Sequence, residues 1–391
     1  MNRSNCIAAG AGILLLAAAP AFAQAPDYDA IADNLVNQSL AVQPGETVTI
    51  NGGPSQLDLM AALQVAVFKA GGQALLTLTL PEANKRAAME TSIEHLKQLP
   101  TANLMLGRLT DVFINVVSIE DPDLFADVPE ERLAAFRQAS VPLANAFGAM
   151  RFRSATLGQT GGVPTAAYAE SVGADPDELQ RIFWQAVAVS PDELKVKADR
   201  IAALTKDGAT VSVTSKEGTN LTFSLDRFPP RINAGRAVDV RAETGPTNVW
   251  LPAGEAYAVV KRSTANGTLV VPVTSFRGVP LRNLRLEFEN GVVTGMTVDD
   301  GREILDQYFA AASPKLKELS VFDIGVNPHS RPPAGSSYLS WEMGGMTSVG
   351  LGNNSWAGGD NDADGTLGLH VPGTTVTIDG TEVVRDGRLV N

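Results

Sequence analysis

Along the first half of the chain, apolar positions alternate between helical spacing and short dense runs. Residues 29–40 carry the helical spacing, and 46–50 reads as a short strand. Ser55 stands where a cap belongs before Leu59, Leu63 and Val67, and Gly71-Gly72 ends that helix. A dense apolar strand follows at 74–80, then a helix at 83–96, a buried strand at 111–117 (DVFINVV) and a helix across 130–147. Two further helices carry explicit start signals. Asp175-Pro176 supplies a cap and a first-turn proline, and Ser190-Pro191-Asp192-Glu193 reads as a capping box. Strands alternating with helices predict a parallel, doubly wound sheet.

From Ala209 onward the pattern turns to β. Stretches 210–214, 220–225, 249–260 and 268–273 read as strands, and Asn290-Gly291 and Asp379-Gly380 sit between alternating apolar runs as hairpin turns. One helix interrupts at 301–311, with Ile304, Leu305, Tyr308 and Phe309 on one face. The chain is therefore expected to hold an N-terminal doubly wound α/β domain, 24–189, and a C-terminal mixed α/β domain rich in antiparallel strands, 190–391.

Residues 1–23 stand apart. Arg3 forms a positive start, 7–19 an apolar core, and Ala21-Phe22-Ala23 a small-x-small cleavage site, the pattern of a secretory signal peptide. Cleavage would remove Cys6, the single cysteine, and with it any disulfide, thiolate metal site or cysteine nucleophile. It would also take the net charge from −12 to −12 − 1 = −13 through loss of Arg3. Export to a bacterial periplasm or the outside is expected, with no membrane association after cleavage. Strong net negative charge argues against nucleic acid or an anionic membrane surface as the main partner, and charge alone does not choose among other ligands.

Chemistry is sparse. The histidines are His95, His329 and His370; the first two read as surface residues. No Gly-x-Ser-x-Gly elbow or Walker loop is present, and Gly350-Leu351-Gly352 lacks the strand-turn-helix context of a dinucleotide site. Asp360, Asp362 and Asp364 in the string DNDADG resemble the first half of a calcium loop. Position twelve is Val371 instead of glutamate, so a solvated acidic loop is the plainer reading. Leu251-Pro252-Ala253-Gly254-Glu255 places a tight kink between two extended stretches and aims one carboxylate from it. Spacing alone reads Glu255 as an exposed residue after a turn.

LPAGE at 251–255 resembles the thermophilic metalloaminopeptidases, the aminopeptidase T-like family. So do GTNLTF at 218–223, NGT at 266–268, FENGVV at 288–293, IGVNP at 324–328, LGNN at 351–354 and VTIDG at 376–380, in order. The resemblance implies that family's two-domain fold, a homodimer, and hydrolysis of N-terminal residues from peptides by a pair of zinc, cobalt or manganese ions. Two such ions need several carboxylates and imidazoles converging on one place. By the same resemblance Glu255 is the first ligand, while Val321, Ser348, Thr366 and Gly368 stand where further ligands are expected, and Asn354 or Trp356 replaces a tyrosine. Asp323, two residues beyond Val321, and His370, four beyond Thr366, are the candidates for rebuilding the site. The expectation is an aminopeptidase-like protein with reduced or lost two-metal catalysis. The alternatives are a pseudoenzyme, for which the resemblance implies a peptide or small-molecule ligand, and a calcium-binding acidic loop on the same scaffold. Dihydroxypyridine dioxygenases look like the same fold, with a His-x-Asp iron site that this chain also lacks.

Overall fold

The computed structural model describes residues 26–150, 152–238, 247–276 and 279–390. The expected leader and Cys6 lie outside these residues. In chain order the strands are β1 (Thr47–Gly52), β2 (Gln73–Leu78), β3 (Val112–Val116), β4 (Arg153–Leu157), β5 (Thr210–Thr214), β6 (Asn220–Ser224), β7 (Arg231–Asn233), β8 (Asn248–Leu251) and β9 (Glu255–Val259). They continue as β10 (Asn266–Phe276), β11 (Val279–Glu289), β12 (Val292–Thr297), β13 (Leu319–Gly325), β14 (Thr347–Gly352), β15 (Thr366–Val371), β16 (Thr375–Ile378), β17 (Thr381–Arg385) and β18 (Arg388–Leu389).

Sheet one has the order β2-β1-β3-β4-β8, and all its pairings are parallel. One face buries Val48, Ile50, Ile114, Leu157 and Val249 against Leu59, Leu63 and Val67 of helix Leu57–Lys69 and against Phe183 and Trp184 of helix Pro176–Val187. The other carries Phe113, packed edge-on to Phe147 of helix Glu130–Met150. Helices on both faces make the sheet doubly wound, as expected. β8 returns to this sheet from far along the chain, so a division at 189/190 does not separate the sheets.

Sheets two and three form a sandwich. The eight-stranded sheet runs β12-β11-β10-β6-β5-β16-β17-β18, and the five-stranded one β15-β14-β13-β9-β7, with antiparallel pairing throughout. Val211, Leu221, Phe223, Leu269 and Leu286 meet Ala256, Ala258, Phe322, Ile324, Val349 and Leu369 in one core, where Phe223 stands edge-on to Phe322 at 5.5 Å. Both hairpin signals hold: Asn290 and Asp379 take φ of 50° and 47°, each followed by glycine.

Three local expectations are revised. Strand β2 is a sheet edge, with Leu75 39% and Leu78 55% exposed, although its apolar density suggested burial. The helix expected at 83–96 breaks after Glu90, and Ser92 caps a new turn by accepting from the His95 amide. Ser55 does not cap its helix; its hydroxyl binds the Glu120 carboxylate instead. No described helix is long and apolar enough to cross a membrane.

Candidate metal-site region

Chain direction explains how Glu255 is placed. β8 ends sheet one at Leu251, and β9 begins in sheet three at Glu255, so Pro252-Ala253-Gly254 carries the chain from one sheet to the other. Gly254 takes φ 126°, and a Cβ there would lie 2.9 Å from the Asn327 backbone nitrogen. Only glycine fits such a conformation and approach. Asn327 pins the corner: its amide donates to Ala253 O at 2.6 Å and Ala186 O at 3.0 Å, and Val326 N donates to Gly254 O at 2.7 Å.

Strand register then lays out the site. Ala256, Ala258 and Val260 face the sandwich core, so Glu255, Tyr257 and Val259 face the other way, toward the end of sheet one. Arg231, Tyr257, Asp323, Ser348 and His370 are direct register partners in one row across β7, β9, β13, β14 and β15. A neighbouring row holds Val259, Val321, Gly350 and Gly368. Every position to which the family resemblance assigns a ligand therefore lies on a single face, and so do Asp323 and His370, because offsets of two and four preserve the face.

What occupies that face is not a metal-ligand set. Val321 packs with Tyr257, Val259 and Ala357 under Phe228, Trp250 and Trp356. Trp356 lies 5.5 Å from Tyr257, 6.0 Å from Trp250 and 6.2 Å from Trp341 between ring centroids. Trp341 covers Gly368, where an added Cβ would sit 2.6 Å from its ring, and stands edge-on to His370 at 5.0 Å. Asn354 turns away to hold its own loop, donating to Ser320 O and accepting from Asn361 N.

Because the indole is itself wedged between two rings, it cannot yield cheaply. Gly368→Ala is expected to lower stability by about 1–3 kcal/mol, with Trp341→Leu in the same chain recovering most of it. Urea unfolding of the single and double variants checks this, and a neutral Gly368→Ala would contradict the packing described.

Beside the aromatic layer lies a buried acid cluster that includes one residue the sequence did not reveal. Glu255 is 2% exposed and Asp323 1%, which corrects the reading of Glu255 as a surface carboxylate. Glu342 is fully buried and takes hydrogen bonds from the Ser330 hydroxyl at 2.7 Å and from the Ser340 hydroxyl. Asn233 donates to Glu255 Oε2 at 3.4 Å and Gln159 also hydrogen-bonds this carboxyl, yet Glu255 Oε1 and Asp323 Oδ1 have no hydrogen-bond partner among the described residues. Burial, then the neighbouring Glu342, pushes the Glu255 carboxyl well above its usual range. Asp323 is pushed well up by burial and then by Glu255 and Glu342. Glu342 is raised by burial against the opposing serine hydroxyls. Arg231 faces Tyr257 from the next strand, and its guanidinium donates to Trp356 O instead of to the cluster.

His370 does not join the acids. It sits two strands from Asp323, about 10 Å at the backbone, with Ser348 between them bonding its Nδ1 at 2.8 Å. Burial lowers its imidazole to about 4. Ser348 is wholly buried, so this pair is a structural hydrogen bond without the accessible nucleophile and near-neutral base that hydrolysis needs. The acidic string is likewise divided: Asp360 pairs with Arg262 at 3.2 Å, Asp362 with Lys315 at 2.5 Å, and Asp364 accepts from Ser313 N at 2.9 Å. A calcium ion needs those carboxylates together. Among the described residues, no group of three or more His, Cys, Asp or Glu is arranged to hold a metal ion. His95 and His329 are exposed, as expected.

A buried carboxylate stands where the chain passes from the parallel α/β sheet into the β-sandwich. The chain belongs to the thermophilic metalloprotease (M29) family, whose model matches residues 25–323. That match ends at Asp323, before the strands bearing Ser348, Thr366 and Gly368. Wild-type AmpT from Thermus thermophilus has the same fold, with a TM-score of 0.72 at 16% identity over 93% of this chain and 99% of that one. The 2,5-dihydroxypyridine dioxygenase of Pseudomonas putida KT2440 also matches, with a TM-score of 0.60 at 17% identity, covering 93% and 96% of the two chains. At these identities the likeness is one of fold. No curated protein matches the chain in sequence. The family is metal-dependent, but the donors present here do not fit a two-ion centre: Val321 and Gly368 offer none, Ser348 is engaged with His370, and indole rings fill the space before them.

Proposed function

We propose that this chain is an exported, aminopeptidase-like member of its family that has lost two-metal peptide hydrolysis and serves as a peptide- or small-ligand-binding protein of the bacterial envelope. The observation that carries the reading is the face of sheet three. Glu255 remains, while Val321 and Gly368, two of the positions assigned to its partner ligands, lie under Trp356 and Trp341. Polarising a peptide carbonyl and generating hydroxide near neutral pH both depend on the ions, so without their ligands the scaffold keeps its shape and loses that chemistry. Export is supported by the charged start, apolar core and Ala-x-Ala site of the first 23 residues.

A second reading has one observation in its favour. The orphaned oxygens of Glu255 and Asp323 are what a single divalent cation would leave behind. Assays of leucyl and other aminoacyl substrates with added Zn²⁺, Mn²⁺ or Co²⁺, alongside peptide-binding titrations, separate the readings. The proposal expects peptide binding without turnover. Metal-dependent turnover abolished by Glu255→Ala would overturn it.

A further inference from the structure

We propose a second ligand site, independent of the acid cluster, at the carboxyl ends of β1 and β3, for a small neutral polyhydroxylated molecule. The sheet order β2-β1-β3 means that the chain leaves β1 to one side and returns to β3 on the other. At such a switch point the crossovers depart on opposite faces and leave a crevice, the place where open α/β sheets bind ligands. A cavity of about 300 Å³ opens there, lined by Asn51, Gly53, Thr79, Asn115, Ser118 and Glu120, a volume at the small-molecule end of the range.

Its polar groups are organised from within. Asn51 and Asn115 are register partners, and Asn51 Nδ2 donates to Asn115 Oδ1 at 2.9 Å. Asn51 Oδ1 in turn accepts from the Thr77 and Thr79 hydroxyls at 3.0 and 3.2 Å. These bonds fix both carboxamides and leave the Asn115 amide nitrogen without a partner among the described residues. Glu120 Oε1 accepts from the Ser118 hydroxyl at 2.9 Å and from the Ser55 hydroxyl, which leaves its second oxygen as an acceptor at the rim. The cavity thus presents amide donors on its floor and one anionic acceptor above, with no lysine or arginine in its lining. A phosphate or carboxylate would meet Glu120 without a compensating cation. Adjacent hydroxyls, each both donor and acceptor, match the set. Free sugars and the ribose of a nucleoside share that chemistry.

Calorimetric titration of the purified protein with D-ribose, D-glucose and adenosine, with putrescine as an amine control, tests the site. We expect saturable one-to-one binding of at least one polyol. Glu120→Gln and Asn115→Leu should each weaken it about tenfold or more while melting as the parent does; the preferred probe tells free sugar from nucleoside. Glu120→Gln keeps an acceptor for both serines, so the test stands if Asn115→Leu fails to fold. Absence of binding by all three polyols, binding of putrescine alone, or equal affinity in Glu120→Gln would overturn the site. Neither outcome bears on the lost two-metal chemistry.

Discussion

Asp323→Asn is expected to stabilise the chelator-treated protein at pH 8 by about 2 kcal/mol, the scale of removing an uncompensated buried charge or polar group, and to leave it nearly unchanged at about pH 3, below the ordinary carboxyl value. The sign follows from proton linkage. A carboxyl whose native pKa is raised holds its proton in the folded state at pH values where the unfolded chain has released it. Its contribution is therefore fully present below the unfolded value and is lost as pH rises through the native one. For Asp323 the window opens near its ordinary value of 3.8 and extends upward. Among the described residues the groups facing it are Glu255, Glu342, Tyr257 and Ser348, none of them a cation, and Arg231 is held beyond Tyr257. Asparagine mimics the protonated acid and cannot ionise. Melting curves from about pH 3 to pH 8 for parent and variant should converge at the acid end and separate at the alkaline end. Equal loss of stability at both pH values would contradict a carboxyl that holds its proton in the fold.

Gly325→Ala should be the more damaging change, with loss of about 3 kcal/mol or more, or no soluble protein. An added Cβ at this site would meet Met343 O at 2.2 Å, Trp341 O at 2.4 Å and Glu342 C at 2.7 Å. All three are backbone atoms, so no rotamer change relieves the contact. The close approach is what lays the 341–343 segment on β13, delivering Glu342 to the acids and Trp341 to the space over Gly368. Chemical denaturation reports the loss, and near-ultraviolet circular dichroism reports displacement of the tryptophans. A variant as stable as the parent would show that the segment does not lie as described.

Much of the fold was legible because its signals are local. Asp175 and Ser190 cap their helices as read, accepting from Glu178 N at 2.8 Å and Glu193 N at 3.2 Å. The Asn-Gly and Asp-Gly turns needed only the left-handed conformation those pairs favour. Less local facts escaped. The exposure of Leu75 and Leu78 depends on which strand ends the sheet, and apolar density carries no such information. The stretch 249–260 reads as one strand by composition, and only the corner at 252–254 shows that it serves two sheets.

For the candidate site, parity was readable and occupancy was not. Offsets of two and four residues kept Asp323 and His370 on the Glu255 face, but which row each joins depends on strand register. Glu342 sits in the aperiodic segment SWEMGG, where nothing marks a buried acid. Trp341 and Trp356 carried no positional signal for the space they fill, since that space is enclosed by strands distant in sequence.

Counting divalent ions per chain is the most direct test of the central claim, by native mass spectrometry or elemental analysis after dialysis against Zn²⁺, Mn²⁺ or Co²⁺. The account predicts that no ion pair binds. Two tightly held equivalents per chain, both lost in Glu255→Ala, would contradict it.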